Sequence, residues 1–168
     1  MNRLSWIEVE SFRGFAETCR ISLDADAVVI TGPNGVGKTS LIDAITWVLT
    51  GQVPRLEQHK ERRTDDVLTN RYRSGTDPRV TLGLSIDGDD LIITRNGRAP
   101  DAPTVERREG VSHGSDAVAE ALGFQTRREL EYAIATWGCS TKIRCVPYWK
   151  QDRMNSRRGC ATSSGSAS

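Results

Sequence analysis

Residues Gly32-Pro33-Asn34-Gly35-Val36-Gly37-Lys38-Thr39 satisfy the spacing G-x-x-x-x-G-K-[ST], the arrangement that cradles the phosphates of a nucleotide. Glycines let such a loop turn its backbone N–H groups inward around an anion, at torsions other residues resist. Lys38 brings a positive charge to the β- and γ-phosphates, and Thr39 offers a hydroxyl to Mg²⁺. A helix starting at Lys38 points the positive end of its dipole at the same anion. Pro33, Asn34, Val36 and the following Ser40 complete the candidate nucleotide-binding set, with Thr39 as the candidate metal ligand.

A loop of this kind needs a strand before it and a helix after it. Ala27-Val28-Val29-Ile30-Thr31 is a continuous apolar run stopping at Gly32, which predicts a strand buried on both faces. From Lys38 to Leu49, the residues Leu41, Ile42, Ala44, Ile45, Val48 and Leu49 recur at helical spacing, and Gly51 is placed to end the helix. Leu4 to Phe12 alternates as a half-buried strand does, and Arg20 to Leu23 is a second strand candidate. Val80–Ile86 and Leu91–Arg95 flank an Asp87-Gly88 turn and predict a β-hairpin. Thr104–Arg108 adds a further strand. Two helices are expected, Asp116–Leu122 and Arg127–Trp137, the second opened by a capping box of Thr126 and Glu129. Residues 52–66 are polar and aperiodic and predict a loop, with Val67 and Leu68 as a short packed element.

At 168 residues the chain has room for one domain with a proper core. It contains no apolar run long enough to span a bilayer and no signal-peptide core behind Met1-Asn2-Arg3, so a cytoplasmic location is expected. The net charge of +1 is unevenly spread, because residues 139–168 hold six Lys and Arg against one Asp. The remainder is mildly acidic, without the domain-wide basic footprint of a DNA binder. Nucleic-acid contact would be local, through Arg55, Lys60, Arg62, Arg63, Arg71 and Arg73, which otherwise read as a solvated loop. The four cysteines show no C-x-x-C spacing and sit near neither histidine, which argues against a metal site or disulfide framework. An Asn-Lys-x-Asp guanine-reading motif is also missing, against a GTPase.

Ile7-Glu8-Val9-Glu10-Ser11-Phe12-Arg13-Gly14-Phe15, the loop Thr31–Ser40, and Leu41-Ile42-Asp43-Ala44-Ile45-Thr46-Trp47-Val48-Leu49-Thr50-Gly51 together resemble the N-terminal lobe of SMC-like ATPase heads of the SbcC and RecF type. The resemblance implies an α/β P-loop fold, with a mixed sheet and an antiparallel hairpin layer, across residues 1–138. It implies ATP and Mg²⁺ as cofactors and places the aromatic-basic turn beside the nucleotide, making Arg13 a candidate phosphate contact. Asp43 and Trp47 read as packing or capping residues. By the same resemblance the partners are a C-terminal lobe, a second head, DNA and a nuclease subunit, in double-strand-break repair or other DNA metabolism. An ABC-type transport ATPase and a catalytically incomplete nucleotide-binding fragment are the alternatives.

Hydrolysis needs a second, carboxylate-bearing strand to hold Mg²⁺ and position water. Leu84-Ser85-Ile86-Asp87 has a polar residue inside its run and leads into a turn, so it does not fit. The chain thus reads as half of a head. Residues 139–168 lose all periodicity and hold three of the four cysteines. Reading their degenerate codons one nucleotide earlier permits an amphipathic continuation beginning Val-Leu-His-Gln-Asp, whose Gln-Asp resembles the glutamine loop of SMC-like heads. The tail is either a natural irregular C-terminus or the product of a frameshift near Gly138, and the gene's nucleotide sequence beyond codon 138 separates the two.

Overall fold

The computed structural model describes residues 3–57, 68–72 and 75–138; the tail 139–168 and most of the arginine-containing loop lie outside them. The alternating segments become strands β1 (Arg3–Glu10), β2 (Cys19–Ser22), β3 (Arg79–Ile86), β4 (Asp89–Asn96) and β5 (Thr104–Arg107). A sixth, β6 (Gly110–His113), is exposed along its whole length. It lacked the apolar alternation that makes a strand visible in sequence, and as an edge strand it needs none. The sheet order is β2-β1-β3-β4-β5-β6, and every pairing is antiparallel. The antiparallel layer expected beside the loop therefore makes up the whole described sheet.

One face of the sheet carries the core. Ile7 pairs with Leu82, Leu82 with Ile93, and Ile93 with Val105, giving a row of fully buried side chains across four strands. Over this face lie helices α1 (Lys38–Thr50) and α3 (Ser115–Ala121), with α4 (Arg127–Gly138) packed on those two helices and a single turn α2 (Pro54–Glu57) after α1. α1 buries Leu41, Ala44, Trp47 and Val48, each large apolar side chain contributing about 1.5–3 kcal/mol through removal from water. The capping box of α4 forms in a variant way. Glu129 N donates to Thr126 Oγ1 at 3.2 Å, while the Glu129 carboxylate accepts from Gln125 N at 3.1 Å. The β3–β4 turn places Asp87 and Gly88 at φ 54° and 94°, as a tight hairpin requires.

A charged residue occupies the buried face. Leu91, Ile93 and Arg95 share one side of β4, and Arg95 is fully buried. Its guanidinium lies under the C-terminus of α1, where a helix leaves its last carbonyls without intrahelical partners. Gly51 N takes the Trp47 carbonyl at 2.7 Å, and Arg95 donates to the next two, from Nε to Val48 O at 3.1 Å and from Nη2 to Leu49 O at 3.5 Å. Further contacts go to Pro100 O and Ser115 Oγ. Burial, reinforced by repulsion from Arg127, pushes the Arg95 pKa down to about 10, with Asp101 and Glu131 opposing; the side chain stays charged at neutral pH.

Gly51 closes this arrangement at φ 79°. A methyl group there would stand 2.9 Å from Arg95 Nη1, and that atom is held by its own hydrogen bonds. Gly51→Ala is expected to destabilise the fold by about 2 kcal/mol, from left-handed strain plus overpacking. Urea denaturation with an unchanged m-value would register it as a lowered midpoint.

The expected strand at residues 27–31 does not form. The chain leaves the sheet after β2, with Leu23 N bonded to Ser5 O and Arg3 holding Asp24 and Asp26 at 2.9 and 3.1 Å. β1 is already flanked by β2 and β3, and none of the six strands pairs with the segment. An apolar run becomes a strand only where a neighbour satisfies its backbone. Val28, Val29 and Ile30 consequently stand 45%, 80% and 37% exposed.

Candidate phosphate-binding site

The phosphate loop occupies the turn between that segment and α1. Gly32, Gly35 and Gly37 all take positive φ, at 149°, 89° and 99°, in regions that residues with a Cβ rarely enter. Gly37 is the N-cap of α1 and provides no side-chain cap, so the first-turn amides keep their donor capacity for an anion. Its own carbonyl accepts the first helical bond, from Leu41 N at 2.9 Å. Lys38 Nζ donates to Gly32 O at 2.7 Å and Pro33 O at 2.6 Å, curling the loop around the ammonium. Asn34, Gly35, Val36 and Thr39 are exposed, whereas Ser40 is buried.

The aromatic-basic turn packs directly against this loop. An ideal Cβ on Gly14 would lie 3.3 Å from Gly37 Cα and 3.2 Å from Ser40 Oγ, and one on Gly37 would lie 3.5 Å from the Phe15 ring. Ser40 is thus buried beneath the turn. Phe12 is buried with its ring centroid 5.4 Å from that of Trp47, which bears out Trp47 as a packing residue. Arg13 sits at φ 48° and its Nε lies 3.3 Å from Asp43 Oδ2. Asp43 is only 3% exposed.

Residues 68–70 lock the turn from behind. Arg13 N donates to Leu68 O at 2.7 Å, Asn70 N donates to Ser11 O at 2.8 Å, and Asn70 Nδ2 donates to Arg13 O. The short packed element foreseen at Val67 and Leu68 is therefore a clamp on the turn, as far as its described residue Leu68 shows; Leu68 is 3% exposed. Asn70, Asp43 in its pairing role, and Arg95 had no sequence signal apart from a charge on the inward register of β4. Arg71 is exposed, while Lys60, Arg62, Arg63, Arg73 and the Arg55 side chain lie outside the described residues.

Ser11 is the uncomfortable member of the turn. It takes φ 49°, is 1% exposed, and its hydroxyl has no hydrogen-bond partner. Glycine would remove both the left-handed strain and the orphan hydroxyl while keeping the carbonyl bonded to Asn70. After allowance for the added entropy of the unfolded chain, Ser11→Gly is expected to stabilise the protein by about 1 kcal/mol. A rise in Tm would bear this out, and a fall would show that packing of the hydroxyl matters more.

Loop and fold together define a P-loop NTPase domain. A sequence profile described as "AAA domain" matches residues 7–127. The chain is 43% identical over 68 residues to the chromosome partition protein Smc of Mesomycoplasma hyorhinis, covering 40% of this chain and 7% of that protein. Against the Smc of Synechococcus sp. it is 27% identical over 148 residues, covering 84% of this chain and 10% of that one. The SMC head domain from Thermotoga maritima matches with a TM-score of 0.46 at 23% identity, over 66% of this chain and 38% of that chain. This chain belongs to the AAA domain family, and its matched part is similar to a segment of the Smc proteins. It spans a tenth or less of the length of the curated relatives named here. Among the described residues no helix is long and apolar enough to cross a membrane.

Proposed function

We propose that this chain is the ATP-binding half of an SMC-like ATPase that works on DNA, with double-strand-break repair as its setting in the cytoplasm. The observation that carries the reading is the uncapped N-terminus of α1 at Gly37, with Lys38 curled inside a loop of three positive-φ glycines. These backbone amides, together with Gly32, Pro33, Asn34, Gly35, Val36 and Ser40, would surround the phosphates. Arg13, lying on a turn in contact with Gly37, would add a guanidinium to them. The exposed hydroxyl of Thr39 on the first turn of α1 fits the role of Mg²⁺ ligand. Bound there, Mg²⁺ would neutralise charge on the phosphates.

A second lobe is part of the proposal. Val28, Val29 and Ile30 present an apolar, unpaired run beside the loop, suited to strands from a partner lobe that would also bring the water-positioning carboxylate. Head-to-head dimerisation around ATP, DNA and a nuclease subunit complete the reading. The chromosome-partition naming of the Smc relatives supports work on DNA. The test is titration of this chain with ATP and Mg²⁺ beside its Lys38→Ala variant, with phosphate release measured in parallel. Binding without turnover is expected. Turnover by the chain alone would overturn its assignment as an incomplete half, and binding indifferent to Lys38 would overturn the phosphate site.

A further inference from the structure

We infer that Asp43 is a positioning residue that aims the Arg13 guanidinium at the phosphate chain, an inference that rests on the nucleotide reading above. Asp43 lies four residues beyond Thr39, on the same face of α1 and one turn deeper. Its carboxylate is almost fully buried, and the charged group seen against it is Arg13, with Nε at 3.3 Å from Oδ2. A buried carboxylate is stable as an ion only when paired and hydrogen-bonded. A guanidinium is a rigid planar fork of five donors. The ion pair at Nε therefore draws the guanidinium to the carboxylate and sets where it lies.

The backbone beneath Arg13 is fixed to match. Its N–H and carbonyl are held by Leu68 and Asn70, and the next residue, Gly14, rests on Gly37 and Ser40. The root of the side chain is thus set by residues 68–70, the location of its head by Asp43, and both against the loop that would hold the phosphates. Preorganisation of this kind lowers the ordering cost that a long arginine side chain would otherwise meet on binding.

The experiment compares the wild-type chain with Asp43→Asn, Asp43→Glu, Arg13→Ala and the Arg13→Ala/Asp43→Asn double variant. Each is titrated with ATP and with adenosine by NMR, and folding is checked by thermal unfolding. Asp43→Asn is expected to weaken ATP binding about tenfold, the scale of one charge-assisted hydrogen bond, and to leave adenosine binding unchanged. Asp43→Glu should recover part of the loss. In the Arg13→Ala background, Asp43→Asn should add no further loss of ATP affinity. The inference is overturned if Asp43→Asn binds ATP like the wild type, if it loses ATP and adenosine alike, or if its loss persists without Arg13. Should Arg13→Ala itself bind ATP normally, the phosphate role of Arg13 fails and this inference fails with it; the wild-type titration shows separately whether the loop binds ATP.

Discussion

Replacing Lys38 with alanine is expected to weaken ATP binding by roughly thirtyfold while leaving the fold in place. An ammonium-to-phosphate hydrogen bond contributes about 1.5–3 kcal/mol net, and Lys38 would reach two phosphates. Binding must first release its bonds to Gly32 O and Pro33 O, which brings the net difference to about 2 kcal/mol. Alanine is a good residue for the first turn of a helix. The core beneath α1 rests on Leu41, Ala44, Trp47 and Val48, none of which the substitution touches. Calorimetric titration gives the affinity ratio, and circular dichroism verifies the helix. Equal affinities in the two proteins would mean that nucleotide, if bound, sits elsewhere.

The largest stability effect is expected at Arg95. Arg95→Met keeps the apolar stem but strips hydrogen bonds from Val48 O, Leu49 O and Pro100 O in a buried site. Each orphaned carbonyl costs about 1–3 kcal/mol. Part is returned because a desolvated guanidinium no longer has to be accommodated, the same desolvation that pushes the Arg95 pKa down to about 10. The balance is a loss of about 3 kcal/mol, or a fall in Tm of roughly 10 °C. Arg95→Lys should recover little, since a single ammonium cannot reproduce a planar fork aimed at carbonyls from α1 and from the loop after β4. Calorimetric melting of the three proteins checks both statements. A methionine variant as stable as the wild type would show that water or rearranged backbone satisfies those carbonyls.

These two residues mark how far the sequence could be read. Lys38 was legible because its chemistry is local: glycines at fixed offsets, a lysine and a threonine at a helix start, all within eight positions. The Asp87-Gly88 hairpin, the Gly51 stop and the Thr126–Glu129 cap were legible for the same reason. The strand expected at residues 27–31 does not form, because hydrophobicity predicts burial but cannot supply a hydrogen-bonding neighbour. β6 has no such local signal, because an exposed edge strand carries no apolar pattern.

What the sequence by itself determined is the chemistry of the loop and the type of most elements around it, since both depend on residues a few positions apart. Only the tertiary structure decided which charges meet. Arg95 reaches carbonyls 46 and 47 residues away, and Asn70 reaches the Arg13 carbonyl 57 residues away. Arg13 finds Asp43 because the turn carrying it is pressed onto α1. Such pairs follow from the surfaces that an antiparallel sheet and its covering helix bring together, and no local spacing encodes them.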